Sequence, residues 1–301
     1  MTKTLVTFLL TLLLGGAAFA QQMADPNFNP YVERPAYTKG FPRVLFDEAH
    51  NNFHTTTGRY KPFVDLIFSD GYHVAPNRKP FSKESLRTFK LLVIANATGA
   101  EEMDDEGADG PAFTEEECEV VSDWVRNGGA LLLIADHAPF GAAAQILAKR
   151  FDVEMSKGFV FDADHADADN PTRLIFSREN KLLLDHPITQ GRNDGERIKR
   201  VQTFTGQALK GPQGTAVLLL LAATANDQAK AMGGEKKSVA GQAQGLAFKF
   251  GKGRVVMLGE AAMLSAQVTG PKSSPMGMNV PGNDNRQFAL NIMHWLSGAL
   301  K

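Results

Sequence analysis

Gly128-Gly129-Ala130-Leu131-Leu132-Leu133-Ile134-Ala135-Asp136-His137 is the stretch on which the reading of this chain turns. An apolar run of this length, with no polar residue at either alternate position, describes a strand covered on both faces. The glycines before it end a helix. That helix opens at Thr114-Glu115-Glu116-Glu117, a capping box, and runs through Trp124 to Asn127. The Asp-His pair after the run stands where a strand of an open sheet delivers polar groups to a ligand.

Upstream the pattern repeats. Arg43-Val44-Leu45-Phe46-Asp47, Tyr72-His73-Val74 and Leu91-Leu92-Val93-Ile94-Ala95 are short apolar runs that read as strands. Phe63, Val64, Ile67 and Phe68 have helical spacing, and Asp70-Gly71 stops that helix. A short helix begins at Ser82, and another covers 141–150. Strands apolar on both faces, separated by amphipathic helices, predict a mostly parallel sheet between two helical layers, with right-handed crossovers. The second half is less regular. Residues 201–205, 217–222, 246–250 and 254–258 read as strands, with Gly251-Lys252-Gly253 turning the last pair into a hairpin. Residues 288–296 form the closing helix, with Trp295 on its apolar face. No repeat or linker divides the chain. The expectation is one doubly wound α/β domain over 42–301, preceded by a Pro-, Asn- and Gln-rich extended leader at 21–41.

The composition narrows the function classes. With 32 Lys plus Arg against 33 Asp plus Glu and 43% hydrophobic residues, the 301-residue chain is neither disordered nor charged for polyanion capture, so no nucleic-acid partner is expected. Its one Cys excludes a disulfide framework and a multi-Cys zinc site. Lys3, the apolar run at 5–14 and Ala18-Phe19-Ala20 have the form of a secretory signal over 1–20, cleaved before Gln21. The expected location is the periplasm or the extracellular space, with no stable membrane insertion after cleavage.

Ligands of open parallel sheets bind beyond the carboxyl ends of the strands. There the sequence sets Asp47-Glu48-Ala49-His50 with His54 following, then Asn96, Asp136-His137 and Gly259-Glu260. Asp47, His50 and His137 are candidate ligands of a divalent metal, because deprotonated carboxylates and neutral imidazoles are suitable donors. Asp136 and Glu260 are the candidate catalytic acids and bases. Asn96, Asn285 and Arg286 are the candidate substrate-binding residues. The last two open the closing helix, whose N-terminus suits an anionic or hydroxyl-rich ligand. Plainer roles compete with each of these. Asp47 and Asp136 have the residue type that caps turns, His137 can bond a carbonyl near Pro139, and His50 and His54 sit in a loop where i, i+4 spacing says little. The alternating acids of 161–169 form either a solvated loop or an acidic lip over the site. Cys118 lies inside a helix among glutamates and reads as structural. No Gly-x-Ser-x-Gly elbow and no phosphate loop is present.

The order Val44-Leu45-Phe46-Asp47-Glu48-Ala49-His50, Gly71-Tyr72, Leu92-Val93-Ile94-Ala95-Asn96, Gly128 to His137, Gly259-Glu260-Ala261-Ala262-Met263 and Asn285-Arg286-Gln287-Phe288 resembles the class I glutamine amidotransferase-like superfamily. More closely, it resembles a branch of exported bacterial proteins carrying that domain. The resemblance covers 42–300 and implies a flavodoxin-like three-layer sandwich. Amidotransferases place a nucleophilic Cys after the central strand. Here Asp136-His137 occupies that position, so the resemblance implies a pocket without glutamine hydrolysis. Two readings follow. One is a non-catalytic domain that binds a small polar or carbohydrate-like molecule. The other is a metal-assisted hydrolase, with a cation held by Asp47, His50 and His137 acidifying water and Asp136 or Glu260 taking its proton.

Overall fold

The computed structural model describes residues 22–231, 233–270 and 273–301. The expected export signal at 1–20 lies outside the described residues. Strands β1 (Arg43–Asp47), β2 (His73–Asn77), β3 (Leu91–Ala95), β4 (Ala130–Ile134) and β5 (Gly253–Leu258) run parallel in the order β2-β1-β3-β4-β5. That is the flavodoxin-like order, in which the chain reverses its winding between β1 and β3. Beyond β5 the sheet turns antiparallel. Ala243–Phe250 pairs with β5, Leu209–Lys210 and Ala216–Leu220 pair with Ala243–Phe250, and Glu154–Met155 forms the far edge of the nine-stranded sheet. The expected hairpin around Gly251-Lys252-Gly253 is therefore present.

The period of two in the strands assigns each residue to a layer. Val44, Phe46, Val93, Leu132, Ile134, Val256 and Leu258 face one hydrophobic core. It is closed by α1 (Lys61–Ser69) through Phe63, Leu66 and Ile67, and by α4 (Asn285–Ser297) through Phe288, Ile292 and Trp295. Leu45, Leu92, Ile94, Leu131, Leu133, Val255 and Met257 face the other core. Cys118, Val121 and Val125 of α2 (Glu115–Arg126) close that side with Phe140, Ala144 and Leu147 of α3 (Phe140–Ala148). The capping box forms as expected: the Glu117 N–H donates to Thr114 Oγ1 at 3.2 Å and the Thr114 N–H to Glu117 Oε2 at 3.1 Å. At the other end of α2, Gly128 has φ +117°, while a Cβ on Gly129 would lie 2.5 Å from the Trp124 ring.

Two expectations change. Residues 201–205 do form a strand, Arg200–Phe204, but it lies outside the main sheet, antiparallel to Asn170–Ser177. Its partner pairs through Arg173–Ser177, where Leu174-Ile175-Phe176 is an apolar run too short to announce a strand by itself. The leader is also more than an extended arm. Met23–Ala24 adds a strand to Ala266–Thr269. The N–H groups of Val32 and Ala36 donate to Ser69 Oγ and Asp70 Oδ1 at 2.9 and 2.8 Å, tying residues 32–36 to the end of α1. Among the described residues no helix is long and apolar enough to cross a membrane.

Candidate functional site

Asp47 ends β1 fully buried. Its Oδ2 lies 2.8 Å from His50 Nδ1, and its Oδ1 accepts the Asn77 Nδ2–H at 3.0 Å, joining the ends of β1 and β2. The other nitrogen of His50, Nε2, lies 2.9 Å from Glu117 Oε1, and the ring packs 4.7 Å from both Phe81 and Phe113. Asp47, His50 and Glu117 thus form a buried brace from the β1 loop to the first turn of α2. Burial alone would lower the His50 pKa, but Asp47 and Glu117 outweigh it and raise the value above 6.5. Burial likewise opposes ionisation of Glu117. The Thr114 N–H, His50 and the Phe81 N–H overcome it and hold that carboxyl below its usual range.

The expected metal set does not assemble. Both ring nitrogens of His50 are bound to carboxylates. His137 sits apart, with Nδ1 2.8 Å from the Ala138 carbonyl and its ring stacked 4.5 Å from Phe159. Among the described residues, no group of three or more His, Cys, Asp and Glu side chains is arranged to hold a metal ion.

The ends of β3, β4 and β5 do converge. Asn96 follows β3 with φ +51°, a conformation uncommon outside Gly but tolerated by Asn. Its Oδ1 accepts the Asp136 N–H at 3.0 Å, fixing the chain beyond β4. Asp136 Oδ1 accepts the His137 N–H at 2.8 Å, and Oδ2 accepts the Ala261 N–H at 3.4 Å. Glu260, just past β5, is fully buried. Its two oxygens accept the N–H groups of Ala262 and Met263 at 2.6 and 2.8 Å. Tyr60 donates to the Ala261 carbonyl at 2.6 Å, so three side chains hold this turn. Burial raises the pKa of Asp136. Burial, reinforced by the charge of Asp136, raises that of Glu260 well above the ordinary carboxyl value.

Over these strand ends opens a cavity of about 550 Å³, and Asn96, Asp136 and His137 are among the residues that line it. Glu260 lies behind Asp136 and does not line it. The cavity also takes in residues the sequence did not single out: Phe53 and Arg59 of the β1–α1 loop, Phe204, and Gln267 and Met276 of the small sheet that holds the leader. Gln267 and His54, 1% and 3% exposed, both reach it. Gln267 Oε1 and His54 Nδ1 are buried without a hydrogen-bond partner among the described residues. The His54 ring stacks on Tyr60 at 4.6 Å. Burial, aided by the charge of Arg59, lowers its pKa to about 3, so the imidazole is neutral. Only the distant pairing of Ala266–Thr269 brings Gln267 here, and no local pattern announces that.

The other two substrate-binding candidates lie elsewhere. Asn285 accepts the Gln202 N–H at 2.9 Å and donates to the Gln202 carbonyl at 2.7 Å, splicing α4 to the strand Arg200–Phe204. Arg286 donates to the Tyr31 carbonyl at 2.5 Å and lines a separate crevice with Asp70 and His294. The acids of 161–169 are also away from the cavity: Asp164, Asp167 and Asp169 border another crevice with Arg200. The acidic lip of the cavity is instead the loop that carries Glu102 and Asp104.

No family model matches the chain, and no curated protein sequence matches it. Solved structures do. The chain is similar to the N-terminal domain of mmIFT52, with a TM-score of 0.57 at 14% identity over 84% of this chain and 96% of that one. It also aligns with a GMP synthase-type protein from Thermoplasma acidophilum (TM-score 0.42, 13% identity, 85% and 96% covered). A ThuA-like protein from Bacteroides uniformis aligns too (TM-score 0.42, 12% identity, 88% and 93% covered). At 14% identity the likeness to the mmIFT52 domain is one of fold. Strand order and layering define the class: a flavodoxin-like α/β domain with its cavity at the carboxyl ends of the parallel strands.

Proposed function

We propose that this chain is an exported binding protein that uses a glutamine amidotransferase-like fold to hold a small polar molecule, without amidotransferase chemistry. The observation that carries the reading is the pair of unpartnered buried polar atoms, His54 Nδ1 and Gln267 Oε1, on residues lining a 550 Å³ cavity. Buried polar groups are normally satisfied, so such atoms point to a partner supplied from outside the protein. Asp136-His137 follows β4 where the superfamily would set its Cys. The one thiol, Cys118, is enclosed in α2, and burial pushes its pKa up to about 12, which suppresses the thiolate.

A thermal-unfolding panel of sugars, polyols, amino acids, amines and nucleosides tests this. A compound at about 100 times its Kd stabilises the folded state by about 2.7 kcal/mol. That stabilisation is expected to shrink in Gln267→Ala. Release of ammonia from glutamine, or a panel without any stabilising compound, would overturn the reading. The apolar segment at 5–14 and Ala18-Phe19-Ala20 support export. Mass spectrometry of the protein from the producing cell should find Gln21 at its N-terminus.

A further inference from the structure

We propose that the ligand is a protonated amine carrying hydroxyl groups, the chemistry of an amino sugar. This rests on the reading of the cavity as the binding site and narrows the ligand class. Asp136, 8% exposed, sits in the lining. Its Oδ2 has only the long 3.4 Å contact with the Ala261 N–H and so keeps capacity to accept. Behind it stands Glu260, with both oxygens on backbone N–H groups. Among the described residues no Lys or Arg pairs with either carboxyl, so burial favours their neutral forms until a cation arrives to pair with them. The lip adds Glu102 and Asp104.

Arg59 is the Lys or Arg of the lining, and its charge is engaged. Its Nε donates to the Gln22 carbonyl at 3.1 Å, its guanidinium lies 3.9 Å over the Phe53 ring, and Glu102 acts on it electrostatically. Among the charged groups of the lining, the three carboxyls Glu102, Asp104 and Asp136 therefore outnumber the one guanidinium. Gln267 Oε1 is another acceptor, and neutral His54 can accept or donate through Nδ1. A ligand that satisfies this wall must bring donors and positive charge. Phe53, Phe140 and Phe204 suit an organic cation, which gains from aromatic faces. A hard metal ion would need several converging oxygens, and Glu260 has none to spare.

Calorimetric titration of the full chain with glucosamine, N-acetylglucosamine and glucose tests the proposal, since the three share a ring and differ in the amine. Glucosamine should bind at least about tenfold more tightly than either neutral sugar, the scale of one desolvated charge pair. Asp136→Asn should cost glucosamine at least about tenfold in affinity and bring it level with glucose. If that variant does not fold, Gln267→Ala should weaken glucosamine by a smaller factor. Equal or tighter binding of glucose or N-acetylglucosamine overturns the amine assignment, as does unchanged glucosamine affinity in Asp136→Asn. Failure of all three sugars overturns it too. The cavity reading itself falls only if the wider panel also yields no ligand.

Discussion

Glu260 shows how one side chain can be structural while its neighbour in space, Asp136, lines a cavity. Both its oxygens accept backbone N–H groups of the turn at 261–264. Glu260→Ala leaves two buried donors unsatisfied, at about 1–3 kcal/mol each. Relief of repulsion with Asp136 offsets part of that, so the expected net loss is about 2 kcal/mol by urea unfolding, with Glu260→Gln losing about half as much because its one carbonyl oxygen can accept from only one of the two N–H groups. A loss in Glu260→Ala with none in the isosteric Glu260→Gln would assign the effect to packing. Gly129→Ala belongs to the same scale. Its Cβ would lie 2.5 Å from the Trp124 ring, so overpacking should cost about 1–3 kcal/mol. The sequence made Asp136 and Glu260 visible because each follows an apolar strand at the rim where ligands bind. It could not show that Glu260 turns away to cap a turn, because that depends on which way the chain leaves β5. Asn285 and Arg286 misled for a related reason. A helix start was legible, but not that Gln202 and Tyr31 would occupy it.

At the scale of elements, the Asp47–His50–Glu117 brace joins the loop after β1 to the start of α2. Periodicity finds Glu117 as a capping residue through Oε2, three residues from Thr114. It cannot find the contact of Oε1 with His50, 67 residues away in sequence. That second contact gives the brace a pH signature. The pKa of His50 is raised on folding, so its contribution is complete below 6.5 and is lost as pH climbs through the folded value. The pKa of Glu117 is depressed, so its contribution is complete above 4.5 and is lost as pH falls through the folded value. The brace is therefore strongest between pH 4.5 and 6.5. The difference in unfolding free energy between wild type and His50→Ala should peak in that interval and shrink toward pH 9. A difference that stays constant over this range would reduce the brace to shape complementarity.

Across the whole molecule, the main sheet divides its side chains between two cores because the parallel strands are apolar at both alternations, which is why the layering could be read before any coordinate. The additions that complete the cavity could not. Gln22 of the leader, Phe204 and Gln267 arrive from separate peripheral sheets or their margins, through pairings between distant segments. Their closure over the strand ends buries His54 in neutral form, and beside α4 His186, in edge contact with Trp295, is held neutral too. Burial lowers the two values to about 3 and about 4. Both are depressed on folding, so the stability they reflect is complete above pH 6.5 and is lost as acid protonates the unfolded chain first. Each histidine removes at most about 1.4 kcal/mol per pH unit over its interval. Asp136 and Glu260, raised on folding, act in the opposite sense as pH falls, so the wild-type curve alone is a composite. A difference measurement separates them. His54→Phe with His186→Phe should lose stability at pH 7 through altered packing, yet lose less than wild type between about pH 6.5 and 4.5, so the two curves converge as acid is added. Parallel curves would mean that neither imidazole is kept from its proton by the fold, and the neutral His54 on which the character of the cavity depends would have to be abandoned.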